Sequence, residues 1–140
     1  MEHDSLELKI KVGLHGSQSR LYCITIYGDG KQVREVLYVT DLVEAFYAFI
    51  KKSNSIQNSV YNIGGGVENT LSLLELLDLL EEITGKRSDI RYDKWRPSDQ
   101  KVYISDLKKA KEELGWKPKV SPREGVKLLV EWVKDNINIF

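Results

Sequence analysis

The chain has 140 residues, with 21 Lys and Arg against 21 Asp and Glu, and only His3, His15 and Cys23 as soft ligands. That length suits one domain, and zero formal net charge excludes a general polyanion binder, which needs clustered excess Lys and Arg. One cysteine excludes an intramolecular disulfide, the histidines are too few for a zinc site, and neither a membrane span nor a signal peptide is written in the chain, so it reads as cytoplasmic with no nucleic-acid or membrane partner.

Leu6, Leu8, Ile10 and Val12 alternate with Glu7, Lys9 and Lys11, the period of a half-buried strand. Residues 13–19 follow as a loop. Residues 24–27 are β-prone and stop at the turn Gly28-Asp29-Gly30, and residues 36–39 form a second strand-like run. Asp41 is placed to N-cap a helix over 41–52, with Glu44 reaching back from the third position. Ser72 and Glu75 repeat that arrangement for a helix that Gly85 stops. Ser105 or Asp106 opens a third helix ending at Gly115, and Ser121, Pro122 and Glu124 mark the start of a fourth. Residues 60–63, 89–92 and 102–104 read as short strands between them. From residue 24 the order is β-β-α-β-α-β-β-α-α, an α/β fold: a small mixed domain of short strands and about four helices.

Two of these helices carry more apolar surface than a small domain needs. The first has Leu42, Ala45, Phe46 and Phe49 on one face and Val43, Tyr47 and Ile50 on a second. The helix from residue 73 is apolar nearly all round, which predicts burial between layers. A partner surface follows as an expectation: another copy, another chain or another domain.

Among chemical motifs, Gly64-Gly65-Gly66 with Asn69 approaches a dinucleotide fingerprint, but the helix cap Ser72 comes several residues late, so a crossing turn is the better reading. Tyr47 and Lys51 have the spacing of a dehydrogenase pair, yet Tyr47 belongs to an apolar stripe. Arg34 and Arg96 each sit on a short loop between strand-like segments, and two guanidinium forks suit one diphosphate.

An ordered set of segments extends this reading: Ile24-Thr25-Ile26-Tyr27-Gly28-Asp29-Gly30, Arg34-Glu35-Val36-Leu37-Tyr38-Val39-Thr40-Asp41, Tyr61-Asn62-Ile63-Gly64-Gly65-Gly66, Arg96-Pro97-Ser98-Asp99-Gln100 and Leu114-Gly115-Trp116-Lys117-Pro118. Over residues 24–132 it resembles the C-terminal part of the extended short-chain dehydrogenases that act on nucleotide sugars, and within them the CDP-sugar 2-epimerase branch. The resemblance implies that Arg34 and Arg96 hold the substrate diphosphate, that Asp99 binds the ribose hydroxyls, and that Ile26 or Tyr27 packs beside the nucleobase. Glu35 stands where the family more often has aspartate.

The family's Gly-rich loop for NAD and its catalytic Tyr-x-x-x-Lys region belong to an N-terminal Rossmann domain that the 23 residues before Ile24 are too short to form, since one βαβ unit takes about 30. The expectation is therefore an unassigned segment over 1–23 and a nucleotide-sugar-binding lobe over 24–140, with no cofactor of its own and NAD held only alongside the Rossmann part. Three roles stay open. They are an epimerase lobe, silent alone, that forms a homodimer or complements a separate Rossmann chain; a non-catalytic nucleotide-sugar-binding module; and an oligomerisation or interaction domain with a vestigial site.

Overall fold

The computed structural model describes residues 23–56 and 59–139. The strand expected over 6–12 lies outside them. Strand β1 (Cys23–Tyr27) runs parallel to β4 (Asp89–Asp93), in register from Cys23 opposite Asp89 to Tyr27 opposite Asp93. A second sheet has the order β3-β2-β5, with β2 (Val33–Glu35) at its centre. It pairs antiparallel with β3 (Thr70–Ser72) and parallel with β5 (Val102–Tyr103). Helices α1 (Val39–Lys52), α2 (Leu73–Thr84) and α3 (Pro122–Asp135) complete the fold, with a π-helical turn over Ala110–Leu114.

Where local chemistry decides, the elements fall where the sequence puts them. Ser72 and Glu75 form a reciprocal capping box, and Gly85 ends α2 at φ 68°. Gly115 ends the π turn at φ 69°, and Ser121 accepts from the Glu124 amide in front of Pro122.

Long-range pairing changes three other assignments. The strand expected over 36–39 is instead Val33–Glu35, and Val39 already opens α1, because β2 takes its register from β3 and β5 on either side. Residues 60–63 are not a strand; Tyr61 and Ile63 pack against the core on irregular backbone, while the strand that pairs with β2 is Thr70–Ser72. Asp41 is no cap either. Tyr38 occupies that position, and Asp41 lies buried one turn in, its Oδ2 accepting from the amides of Lys119 at 3.0 Å and Val120 at 2.9 Å.

The core gathers Ala45, Ala110, Leu114 and Trp116. Two alanines face each other here, so the π turn can approach α1 closely, and the wide turn directs both Ala110 and Leu114 inward. Trp116 closes the cluster by donating Nε1–H to the Asp41 carbonyl at 3.0 Å. Of the first apolar face of α1, only Ala45 is buried; Phe46 is 60% exposed, as open as Tyr47 on the second stripe at 59%. Helix α2 is not buried between layers among the described residues. Its leucines are half-buried, and it packs along α3, to which Glu82 is tied by a two-pronged contact with Arg123. Among the described residues no helix is long and apolar enough to cross a membrane.

Candidate functional site

Parallel strands end at the same edge, so β1 and β4 deliver Tyr27 and Asp93 side by side and then turn into two loops, 28–32 and 94–101. Ligands of α/β folds bind beyond the carboxyl ends of parallel strands, where loop amides and side chains converge. Here the loops are fastened to each other. Gly28 donates to the Asp93 carbonyl at 2.9 Å, and Val33 donates to that of Lys101 at 2.8 Å. The Leu74 amide, at the start of α2, donates to Gly30 at 3.1 Å.

Gly28 is required twice over. Its φ is 93°, and a Cβ there would sit 2.5 Å from the ring of Trp95. The indole therefore lies flat against the backbone of the first loop, with the Lys101 ammonium 5.9 Å from its centre. Gln32 fixes the loop from within, donating Nε2–H to the Tyr27 carbonyl at 3.0 Å. Its buried Oε1 has no hydrogen-bond partner among the described residues. Neither Trp95 nor Gln32 stood out in the sequence, although Trp95 directly precedes Arg96.

The expected binding residues arrive as two pairs. Arg34 donates from Nη2 to Asp99 Oδ1 at 3.0 Å, both side chains being partly exposed. The Arg96 guanidinium stacks over Tyr27, 4.0 Å from the ring centre. A tight turn joins the pairs, since the Asp99 amide donates to the Arg96 carbonyl at 3.2 Å across Ser98, which holds φ at 64°. Ile26 is fully buried, so of the two candidates for the base only Tyr27 has side-chain surface to offer. The two arginines are not free in this arrangement. One is neutralised by a carboxylate and the other rests on an aromatic face.

Glu35 does structural work that its sequence position did not reveal. Its carboxylate accepts from the Gly66 amide at 2.6 Å, the Ser105 amide at 3.0 Å and, closer still, the Ser105 hydroxyl. A Cβ on Gly64 would stand 2.5 Å from that carboxylate, and one on Gly65 would stand 2.1 Å from the Val36 carbonyl oxygen. These glycines exist to let the chain pass beside β2. They do not fit a dinucleotide pyrophosphate, because a carboxylate already takes the Gly66 amide and no helix opens there. Tyr47 and Lys51 stand exposed on α1. Among the described residues no group of His, Cys, Asp and Glu is arranged to hold a metal ion.

The family described as GDP-mannose 4,6 dehydratase matches residues 5–129, a span that begins inside the segment the motifs left unassigned. CDP-paratose 2-epimerase of Salmonella typhi is 40% identical over 110 residues, 77% of this chain and 32% of that protein. UDP-glucuronate 4-epimerase of Thermodesulfobacterium geofontis is 35% identical over 83% of this chain and 35% of its own. Among solved structures, UDP-glucuronic acid 4-epimerase from Bacillus cereus, in complex with UDP-glucuronic acid and NAD, superposes with TM-score 0.73 at 31% identity. That superposition covers 80% of this chain and 35% of the other. UDP-glucose 4-epimerase from Thermotoga maritima, with UDP-glucose, gives 0.71 at 39% identity over 84% of this chain and 37% of its own. The chain spans about a third of the length of the curated relatives it matches.

Proposed function

This chain belongs to the GDP-mannose 4,6 dehydratase family of NAD-dependent nucleotide-sugar epimerases and dehydratases, and on that premise we propose that residues 24–140 are its lobe for holding a nucleotide-diphosphate sugar. The observation that carries the reading is the convergence of Arg34, Arg96, Asp99 and Tyr27 beyond the carboxyl ends of β1 and β4. In this reading the diphosphate takes Arg34 from Asp99 and draws Arg96 toward it, Asp99 turns to the ribose hydroxyls, and Tyr27 lies beside the base. Charge-assisted bonds of that kind contribute about 1.5–3 kcal/mol each.

The sugar nucleotide is a CDP-sugar and the parent reaction a 2-epimerisation, a reading supported by the 40% identity to the Salmonella typhi enzyme and by the run from Trp95 to Gln100. In this reading the catalytic pair and the seat for NAD come from a nucleotide-binding domain supplied alongside, and the lobe is silent alone and works in the cytoplasm. Calorimetric titration of the chain with CDP, UDP and NAD tests this. Expected is weak binding of CDP and UDP, none of NAD, and no epimerisation. Tight NAD binding or turnover by the chain alone would overturn the assignment.

A second reading draws on a separate observation. Val43, Phe46, Tyr47 and Ile50 leave α1 with an exposed apolar face, which suits a second copy of this lobe or the nucleotide-binding partner. An interaction domain with a vestigial sugar site would show that association without any nucleotide binding.

A further inference from the structure

The loop that carries Arg96 and Asp99 is anchored unequally at its two ends. It leaves β4, a five-residue strand paired with β1 along its length, and there the Gly28 amide donates to the Asp93 carbonyl at 2.9 Å. It exits into β5, which is two residues long, lies at the edge of its sheet and keeps Val102 and Tyr103 exposed. Backbone pairing aligns β5 with β2, the Val33 amide donating to the Lys101 carbonyl at 2.8 Å. An element with so little buried apolar surface opens easily unless something else holds it.

Glu35 supplies that hold. It follows Arg34 on β2, so the two side chains leave opposite faces of the sheet, Arg34 toward Asp99 and Glu35 toward Gly66 and Ser105. Ser105 stands two residues beyond β5. Its amide, at 3.0 Å, and its hydroxyl both donate to Glu35 Oε1, while the Gly66 amide donates to Oε2 at 2.6 Å. The arrangement needs an acceptor at both oxygens. A carboxylate provides this, whereas the NH2 of a carboxamide would face either the Gly66 amide or the Ser105 amide. Bonds to an ionised acceptor are also roughly twice as strong as neutral ones, so the exit of the loop is tied to β2 more firmly than by backbone pairing alone.

The consequence reaches the other face of the sheet. Arg34 belongs to β2 itself, whereas Arg96 and Asp99 ride on the loop. Asp99 meets Arg34 at 3.0 Å, and its amide closes a turn onto the Arg96 carbonyl at 3.2 Å. The seat of β5 against β2 therefore decides where Arg96 lies relative to Arg34. We propose that Glu35 is a positioning residue for the nucleotide-sugar site, holding the loop over 94–101 from behind so that Arg34 and Arg96 act on one diphosphate. The proposal rests on the nucleotide-sugar reading above. In that reading a diphosphate engages both guanidinium groups and a monophosphate only one, so Glu35 governs the preference between them without touching either ligand.

The test is the preference of the full chain for CDP over CMP, read by titrating the ¹⁵N-labelled protein with each. Wild type should favour CDP about tenfold or more, the strength of one charge-assisted bond. Glu35→Gln should cut that ratio to about threefold or less. Ser105→Ala removes one donor of the three and should at least halve it, and it carries the test if Glu35→Gln fails to fold. A merely structural loss lowers both affinities alike and leaves the ratio unmoved, as expected of Glu82→Gln, which loosens only the contact between α2 and α3. In ligand-free Glu35→Gln the amides of residues 96–101 should shift while those of 76–84 stay in place. Equal affinity of the wild type for CDP and CMP would sink the diphosphate reading on which the proposal rests. A wild-type preference that survives in both variants, or loop amides unmoved in Glu35→Gln, would overturn the positioning role alone.

Discussion

Arg34 and Asp99, 65 residues apart in the chain, are joined by a 3.0 Å ion pair at the mouth of the candidate site. The carboxylate thus occupies the guanidinium that the proposed diphosphate needs. Partly exposed pairs of this kind are worth only about 0.2–1 kcal/mol, less than a charge-assisted bond to phosphate, so under the proposed function a diphosphate is expected to displace Asp99 rather than be excluded by it.

That ordering predicts opposite effects from the two partners. Arg34→Ala and Arg96→Ala should each weaken CDP and UDP binding about tenfold or more by calorimetry. Asp99→Asn should tighten inorganic pyrophosphate about two- to fivefold, the strength of the lost pair, while weakening nucleotides that carry a ribose. Looser pyrophosphate binding in Asp99→Asn would show that the pair assists the ligand instead of competing with it.

Gly28→Ala should destabilise the lobe. A side chain there meets both a left-handed backbone and the Trp95 ring, and the strain of such a position costs about 1–3 kcal/mol. Thermal melting several degrees below wild type is the expected readout, with nucleotide binding lost alongside because Trp95 is displaced. Gly85→Ala is a useful comparison: its φ is similarly positive but nothing lies within 4 Å, so it should cost less.

The exposed face of α1 should drive association. Val43, Tyr47 and Ile50 are each large, and burying such side chains is worth about 1.5–3 kcal/mol apiece. Wild-type chain is expected to sediment as a dimer at high concentration, with Tyr47→Glu shifting it toward monomer. A well-folded wild-type monomer at the highest concentrations reached would exclude the self-association reading.

Acid should loosen α2 at both ends. The Glu75 carboxyl is held below its ordinary value by the Ser72 hydroxyl and then the Ser72 amide, and that of Glu82 by hydrogen bonds from Arg123 and then its charge. Both folded values lie below the unfolded ones, so their stabilisation is complete above the ordinary carboxylate range near pH ~4.3 and drains away as pH falls through the folded values. Glu75→Gln with Glu82→Gln should flatten the acid limb of a stability–pH curve. An unchanged limb would assign the acid sensitivity to other carboxylates.

What could be read from the chain beforehand was what adjacent residues decide. Ser72 with Glu75, Gly85, Gly115 and Ser121 with Pro122 each set a boundary through bonds spanning a few residues. Glu35 and Asp41 escaped that logic, because their partners lie between 31 and 79 residues away and backbone amides leave no mark in a sequence. The candidates Arg34, Arg96 and Asp99 were singled out through family motifs, but their pairing was not, since nothing local says that Arg34 meets Asp99 or that Arg96 meets Tyr27. That Ile26 is buried and Tyr27 is not did have a readable signal. Neighbours on a strand face opposite ways, and the aliphatic one belongs inside.

Asp41 has a consequence for the order of events in the cell. Among the described residues its buried carboxylate accepts from the amides of Lys119 and Val120, and its carbonyl accepts from the Trp116 indole. A nascent chain that has emerged only through α2 would carry a charged group with nothing to bury it against. The lobe is therefore expected to remain unassembled on the ribosome until residue 120 has cleared the exit tunnel, and fragments ending before that point should be protease-sensitive along α1.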